Sequence, residues 1–246
     1  MIIFIYDGSL EGLLSAVYEA YYTDLKPHVI TKYETYIPQL MDQTHWVVTD
    51  TEHAAKVHHG ILSKLGEEFY RFMVEVFLSE HERVATCIYE VLKIAFKSGP
   101  NCIEDLRQPL MLEFKKLRRG VVREEHLMLG LVRFVLLKSN IYYAEIEPQY
   151  NQLPLIAEHF SQRMSEEFWV IRDLKRNLAL FYDKKSWYIR TLDDAFDLEL
   201  SEDEALYQAL WKTFHKHIAI EARRNEKLQS AYIPKRYWKH LIEDKT

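Results

Sequence analysis

Glycine and proline are scarce in this chain, seven of each in 246 residues, and cysteine is scarcer still, at two. So few glycines leave little material for a loop-rich all-β fold or a glycine-lined phosphate cradle. Cys87 and Cys102 are too few for an all-cysteine zinc or cluster site. Cys87 lies within a helical pattern and reads as a small core residue. No GxGxxG, P-loop or GxSxG occurs, and no CxxxCxxC. The apolar run Ile2 to Ile5 is too short for a secretory segment and has no basic region before it. No stretch approaches the roughly 20 apolar residues of a membrane span. The expectation is therefore a cytoplasmic protein without membrane association. No metal and no cofactor is expected. A strong excess of one charge is also missing. A net charge of -5 does not announce a nucleic-acid binder, which a strongly basic domain would do.

What is present is core material. Aliphatic and aromatic residues make up 48% of the chain, enough to pack a sizeable core and to disfavour disorder. The length allows one large domain or two modest ones. Met1 to Tyr6 reads as a strand ending at the turn Asp7-Gly8-Ser9. A helix follows, with Leu10, Leu13, Leu14, Val17 and Tyr21 on one face and Ser9 as its N-cap. His45 to Val48 reads as a second strand, and Thr49 with Glu52 has capping-box spacing ahead of another helix. Phe69, Phe72, Met73, Val76 and Phe77 form one helical stripe. Ser79 with Glu82 resembles a capping box, followed by the stripe Ile88, Val91, Leu92 and Ala95. A basic helical segment runs from about Pro109 to Glu124. Beyond it the pattern turns to strands: Leu131 to Leu137, Ile141 to Glu147, Phe168 to Arg172, Asn177 to Tyr182 and Trp187 to Thr191. The helix Leu153 to Met164 is inserted among them. Ser201 with Glu204 has capping-box spacing ahead of a last helix through Leu206, Leu210, Phe214 and Ile218. The expected fold is α+β: a helix-rich N-terminal half packed on a twisted antiparallel sheet with one inserted helix, then a C-terminal helix. The whole chain, 1–246, reads as one domain with a soft internal boundary near residue 125.

Basic residues concentrate in three stretches. Arg107 to Arg133 holds Lys115, Lys116, Arg118, Arg119 and Arg123. Arg172 to Arg190 holds Lys175, Arg176, Lys184 and Lys185. Lys212 to Lys239 holds Lys216, Arg223, Arg224, Lys227, Lys235 and Arg236. The acidic counterweight falls in Asp193 to Glu204. Segregated charge of this kind suits a surface that neutralises phosphates and releases counterions. Tyr232, Tyr237 and Trp238 interleave with Lys235, Arg236 and Lys239, a mixture suited to base stacking beside backbone contacts. The competing account is a set of solvated helix faces and an aromatic C-terminal clamp.

Acid–base chemistry has several candidate carriers. Arg123-Glu124-Glu125-His126 sets Glu125 beside His126, a pairing able to move protons, or else a surface ion-pair cluster. Tyr143, Glu145 and Glu147 would share one strand face, with Arg133 a cross-strand partner. His159 and Arg163 share a helix face near Asp173 and Arg176 in sequence: either a His–Asp contact orients the imidazole, or the histidine is a structural one. Asp7 stands at a strand end but is equally an ordinary turn residue. The catalytic candidates are therefore Glu125, His126, Glu145, Glu147 and Asp173. The residues favoured for nucleic-acid contact are Lys115, Lys116, Arg118, Arg119, Arg123, Arg176, Lys235, Arg236 and Trp238.

These same segments resemble a bacterial family described as "probable DNA metabolism protein". The resemblance is carried by Ile5-Tyr6-Asp7-Gly8-Ser9-Leu10-Glu11-Gly12 and by Arg123-Glu124-Glu125-His126 through Gly130-Leu131-Val132-Arg133-Phe134. It continues in Tyr143-Ala144-Glu145-Ile146-Glu147-Pro148, in Leu153-Pro154-Leu155 through His159-Phe160, in Trp169-Val170-Ile171-Arg172-Asp173, and in Tyr232-Ile233-Pro234-Lys235-Arg236-Tyr237-Trp238-Lys239. It departs at Leu127 and Leu131, where a basic and an aromatic residue are expected. The resemblance implies a domain of unknown function, typically encoded beside a DNA-repair radical-SAM protein. A similar domain is fused behind X-type uracil-DNA glycosylases. No catalytic residues carry over. The implied role is a DNA-binding accessory to such a partner. The alternatives are an enzyme acting directly on DNA, as a hydrolase or lyase, and a protein-interaction scaffold.

Overall fold

The apolar run at the N-terminus becomes β1, Ile2–Tyr6, in a computed structural model that describes residues 1–192, 199–218, 227 and 232–242. The chain divides into two units, Met1–Val122 and Arg123–Thr246. The division falls inside one continuous helix. The α+β class expected from the sequence is the class observed.

The first unit carries its own sheet. β1 lies between two parallel neighbours, β2 (Val29–Lys32) and β3 (Gln43–Trp46). Between β1 and β2 runs α1, Leu10–Tyr22, and β3 leads into α2, Thr51–Leu65. Then come α3 (Glu67–Phe77), α4 (Val84–Ser98) and the start of α5 (Pro109–Leu131). Helical spacing places Leu13, Leu14 and Val17 of α1, Ile61 of α2, Phe69, Met73 and Val76 of α3, and Ile88, Val91 and Leu92 of α4 in one buried cluster, joined by Phe4 and Tyr6. Cys87 is buried in it, and burial pushes its thiol up to about 12.

One turn shows how tightly the end of β1 is built. Asp7 accepts from Ser9 N at 2.9 Å, Ser9 Oγ at 2.6 Å and Thr49 Oγ1 at 2.8 Å. Ser9 Oγ in turn accepts from Gly12 N at 2.9 Å, capping α1 as its position suggests. Partial burial would raise the Asp7 carboxyl, but the hydrogen bonds from Ser9 and Thr49 hold it below its usual value. Its contribution to stability is therefore present at neutral pH and is lost on acidification. A Cβ at Gly12 would stand 2.2 Å from Asp7 Oδ1 and 2.9 Å from Thr49 Oγ1. Alanine is the better helix former by about 1 kcal/mol, yet forced overpacking costs about 1–3 kcal/mol. Gly12→Ala is accordingly expected to destabilise, with a lowered midpoint in denaturant unfolding.

Three expected caps differ in detail. Asp50 rather than Thr49 caps α2, accepting from Glu52 N and His53 N. Ser79 does not cap α4, which starts at Val84 behind Arg83 with no side-chain cap. α7 (Glu204–Ile218) begins at Glu204 itself. That carboxylate, instead of folding back on Ser201, accepts from Leu136 N at 2.8 Å.

The second unit is a five-stranded sheet in the order β4-β5-β6-β7-β8. The strands are β4 (Val135–Leu136), β5 (Tyr142–Ile146), β6 (Trp169–Asp173), β7 (Leu178–Tyr182) and β8 (Trp187–Thr191). Pairing is antiparallel except between β5 and β6, which run parallel in the register Tyr142↔Trp169 to Ile146↔Asp173. The cause is α6, Leu153–Arg163: a helix inserted between two neighbouring strands carries the chain back to the same end. One sheet face packs Ile146, Ile171 and Leu180 with Leu153, Ile156 and Phe160 of α6. Trp169 is fully buried there, stacked 5.1 Å from Tyr182 and edge-on to Phe160. A smaller cluster, Leu137, Tyr143, Val170 and Ala179, lies on the other. No helix among the described residues is long and apolar enough to cross a membrane.

Candidate functional site

The most heavily bonded feature of the second unit is the segment between β5 and α6, residues 147–152. Glu124, on α5, is the residue that fixes it. Its carboxylate is only 4% exposed and accepts from Gln149 N and Tyr150 N, both at 2.8 Å, and from Gln152 Nε2 at 3.3 Å. It also accepts from the Tyr237 hydroxyl and pairs with Arg236 at 3.1 Å. Burial, and then the bond to Glu124, push the Tyr237 hydroxyl well above its usual range. Helical spacing explains the burial. Glu124 stands three residues after Val121 and four before Met128, both core residues.

The same segment is held from the other side by the turn after β6. Arg176 donates to Pro148 O at 3.2 Å and Gln149 O at 2.9 Å, and Lys175 Nζ donates to Gln149 O at 2.8 Å. Arg176 is itself placed by Asp173, a fully buried carboxylate 2.8 Å away. Asp173 also accepts from Lys175 N and Arg176 N, at 3.0 and 3.3 Å. Burial raises the Asp173 carboxyl above its usual value despite Arg176, whose charge pulls it down. Farther along, Lys239 Nζ reaches Glu147 at 2.5 Å. Cations from distant parts of the chain thus meet on one loop.

Of the residues favoured for nucleic-acid contact, those in the first unit do not act as free charges throughout. Lys115 pairs with Glu104 at 2.5 Å. Arg118 pairs with Glu75 at 2.5 Å and lies 3.5 Å from the Phe72 ring centroid. Lys116 and Arg119 are exposed, without an ion pair among the described residues. In the second unit Arg176 and Arg236 belong to the network around the loop. Arg123 and Lys235 are exposed and unpaired among the described residues. Trp238 is half-buried and donates Nε1 to Ile233 O at 2.9 Å, closing the 3-10 turn Lys235–His240. Arg223 and Arg224 lie outside the described residues, as does the first half of the acidic stretch, 193–198.

The acid–base candidates are distributed differently. His126 is exposed on α5, and Glu125 is half-buried beside it. Glu145 accepts from Tyr143 OH at 2.9 Å, and burial together with this carboxylate pushes the Tyr143 phenol up to about 12. β5 ends at Ile146, so Glu147 lies just past the strand on which Glu145 stands. Both line a cavity of only about 10 Å³ with Tyr237 and His240, room for no more than a water. Glu145 also borders a larger cavity of about 330 Å³ with Arg133, Tyr143, Gln208 and His240. Asp173 lines neither. His159 has its Nε2 buried without a hydrogen-bond partner among the described residues, so no carboxylate orients it there. No group of three or more metal-ligating side chains is poised for an ion among the described residues.

Glu124 and Gln152, which organise the loop, were not among the candidate residues, and Tyr237, expected to stack on bases, is buried with its hydroxyl on Glu124. Residues 82–243 match the model of DUF4130, a domain of unknown function. The chain belongs to this family. The DUF4130 segment takes in α4, α5 and the whole network around residues 147–152, while β1 through α3 lie outside it. No curated protein matches the chain.

Proposed function

We propose that this chain is a DNA-binding accessory protein of bacterial DNA metabolism or repair, working with a radical-SAM protein or a uracil-DNA glycosylase. The observation that carries the reading is the gathering of Lys175, Arg176 and Lys239 on loop 147–152, with Arg236 on Glu124, the carboxylate that anchors the loop. Arg176 is consumed in holding the loop. Lys175 is exposed, Arg236 keeps 48% of its side chain in solvent and Lys239 57%, and Arg123 and Lys235 are exposed next to network members in sequence. A rigid loop rimmed by such groups suits phosphate contact, because the cations are held in place before the strand arrives. The partner assignment rests on the sequence resemblance. A direct hydrolase or lyase needs several of the acid–base candidates in one pocket, and Glu145 with Glu147 is the pair that shares one.

A fluorescence-anisotropy titration of labelled single- and double-stranded DNA tests the reading. The net charge of -5 repels DNA at long range, so binding must come from local contacts. With four or five cations engaged, log K is expected to fall against log salt with a slope of about -3 to -4. Absence of binding at low salt, with and without the partner protein, would remove the proposal.

A further inference from the structure

The first unit holds a cavity of about 200 Å³ between α1, α2 and α4. Its walls are aromatic: Tyr18, Tyr21 and Tyr22 of α1 and Phe96 of α4. Two ammonium groups flank them. Lys56 Nζ lies 5.5 Å from the Tyr18 ring centroid and Lys64 Nζ 5.8 Å from that of Phe96. No acidic side chain lines the cavity, and neither lysine makes an ion pair among the described residues.

Two features keep this space open to solvent. Tyr22 leaves 76% of its surface in solvent and Tyr21 43%, at the mouth of a ready-made aromatic wall. Gly60 stands in the interior of α2, where glycine is less favourable than any residue but proline. Its backbone is not in the left-handed region, and a Cβ there would meet nothing within 4 Å. Neither strain nor close packing therefore requires a glycine. What its missing side chain does is leave the cavity open.

The flat rings select a planar ligand. Tyr18 is itself held between His53, 3.9 Å between centroids and 12° between planes, and Tyr22, 4.4 Å and 31°, which leaves the exposed rings of Tyr21 and Tyr22 to meet a ligand. The unpaired ammonium groups select an anion. The volume lies below the roughly 300–1,000 Å³ of sites for drug-sized ligands, which suits one ring system with its charged group outside. We propose that this cavity binds a nucleotide unit, with the base against the tyrosines and its phosphate met by Lys56 or Lys64. The site shares no residue with loop 147–152 and does not rest on the DNA reading.

The ligand is either a free mononucleotide or one base of a single strand. Stacking quenches 2-aminopurine, so the intact protein is titrated into 2-aminopurine deoxynucleoside 5′-monophosphate and into oligo-dT carrying one 2-aminopurine. Saturable quenching is expected. A strand bound about tenfold tighter than the monomer identifies a strand site, and equal or tighter binding of the monomer identifies a free nucleotide. Gly60→Leu fills the cavity and suits a helix better than glycine. It should weaken quenching by about tenfold or more, as the change removes base stacking, while the thermal midpoint holds or rises. The double variant Lys56→Gln/Lys64→Gln should weaken it too and flatten its salt dependence, and it serves alone if Gly60→Leu does not fold. No saturable quenching of either probe, or quenching that the folded variants leave unchanged, overturns the proposal.

Discussion

Glu124→Ala is expected to lower the free energy of unfolding by about 3–5 kcal/mol, the range for stripping a partner from buried charged and hydrogen-bonded groups. Four kinds of donor lose their acceptor together: the Gln149 and Tyr150 amides, the Gln152 side chain, the Tyr237 hydroxyl and the Arg236 guanidinium. Water reaches the guanidinium, which is half-exposed, but not the Tyr237 ring or the Gln152 side chain. Most of the loss therefore comes from the amides and the phenol. Glu124→Gln keeps the shape and one acceptor oxygen, but turns an NH₂ donor toward groups that also donate. It is expected to cost less, about 1–3 kcal/mol. His126→Ala, two residues along but exposed, should stay within about 0.5 kcal/mol. Urea unfolding of the three variants distinguishes a loop anchor from a surface charge cluster.

Arg176→Met is expected to cost a similar amount, about 3–5 kcal/mol at neutral pH, because it leaves the fully buried Asp173 carboxylate without its counter-ion. Two loop carbonyls, Pro148 O and Gln149 O, lose donors as well. The pH dependence follows from the direction of the Asp173 shift. Burial already raises this carboxyl, and Arg176 is the largest influence lowering it. Removing Arg176 raises it further. A group whose folded-state pKa is raised holds its proton more readily when folded, so stability falls as pH rises from the ordinary carboxylate range through the raised value. The deficit of Arg176→Met should therefore be greatest near neutrality and shrink on acidification. Adding Asp173→Asn removes the stranded charge while Asn Oδ1 still accepts from the backbone N–H groups of positions 175 and 176. The double variant is expected to recover about 1–2 kcal/mol relative to Arg176→Met, a coupling typical of directly bonded pairs. Recovery of nothing at any pH would show that packing, not charge, sets the cost.

Local pattern carried much of this fold. The stripe through Phe69, Met73 and Val76 is buried as its spacing predicts, and β6, β7 and β8 lie within about a residue of their expected bounds. What local pattern missed is what depends on distant pairing. β2 is a four-residue strand after Pro27-His28 with no clear alternation, and it exists because β1 offers it an edge. β5 and β6 are parallel because of where α6 returns the chain, which no residue within either strand encodes. The site shows the same limit. Read locally, Arg123-Glu124-Glu125-His126 is a charged surface cluster, and for Arg123 and His126 that description fits. Glu124 differs only in lying on the apolar stripe of Val121 and Met128. A carboxylate in that position asks for buried donors, and these come from residues 149–152 and 236–237, too far along the chain for any periodicity to reveal. Charge counting misleads in the same way. Lys115, Arg118 and Arg176 look alike as basic residues, yet each is taken up by a carboxylate that the fold brings to it.

The proposed role requires exposed cations on loop 147–152 and beside its anchors Glu124 and Arg236 in sequence to meet DNA. The most direct test replaces the exposed charges that hold no carboxylate, in the triple variant Arg123→Gln/Lys175→Gln/Lys235→Gln. It is titrated beside wild type against labelled single- and double-stranded DNA over a salt series starting near ~50 mM. The expected result is a folded variant whose binding is weaker on every sequence and whose salt slope is shallower by about 2–3, close to one for each contact removed. A folded triple variant that binds with the wild-type affinity and the wild-type slope would contradict it.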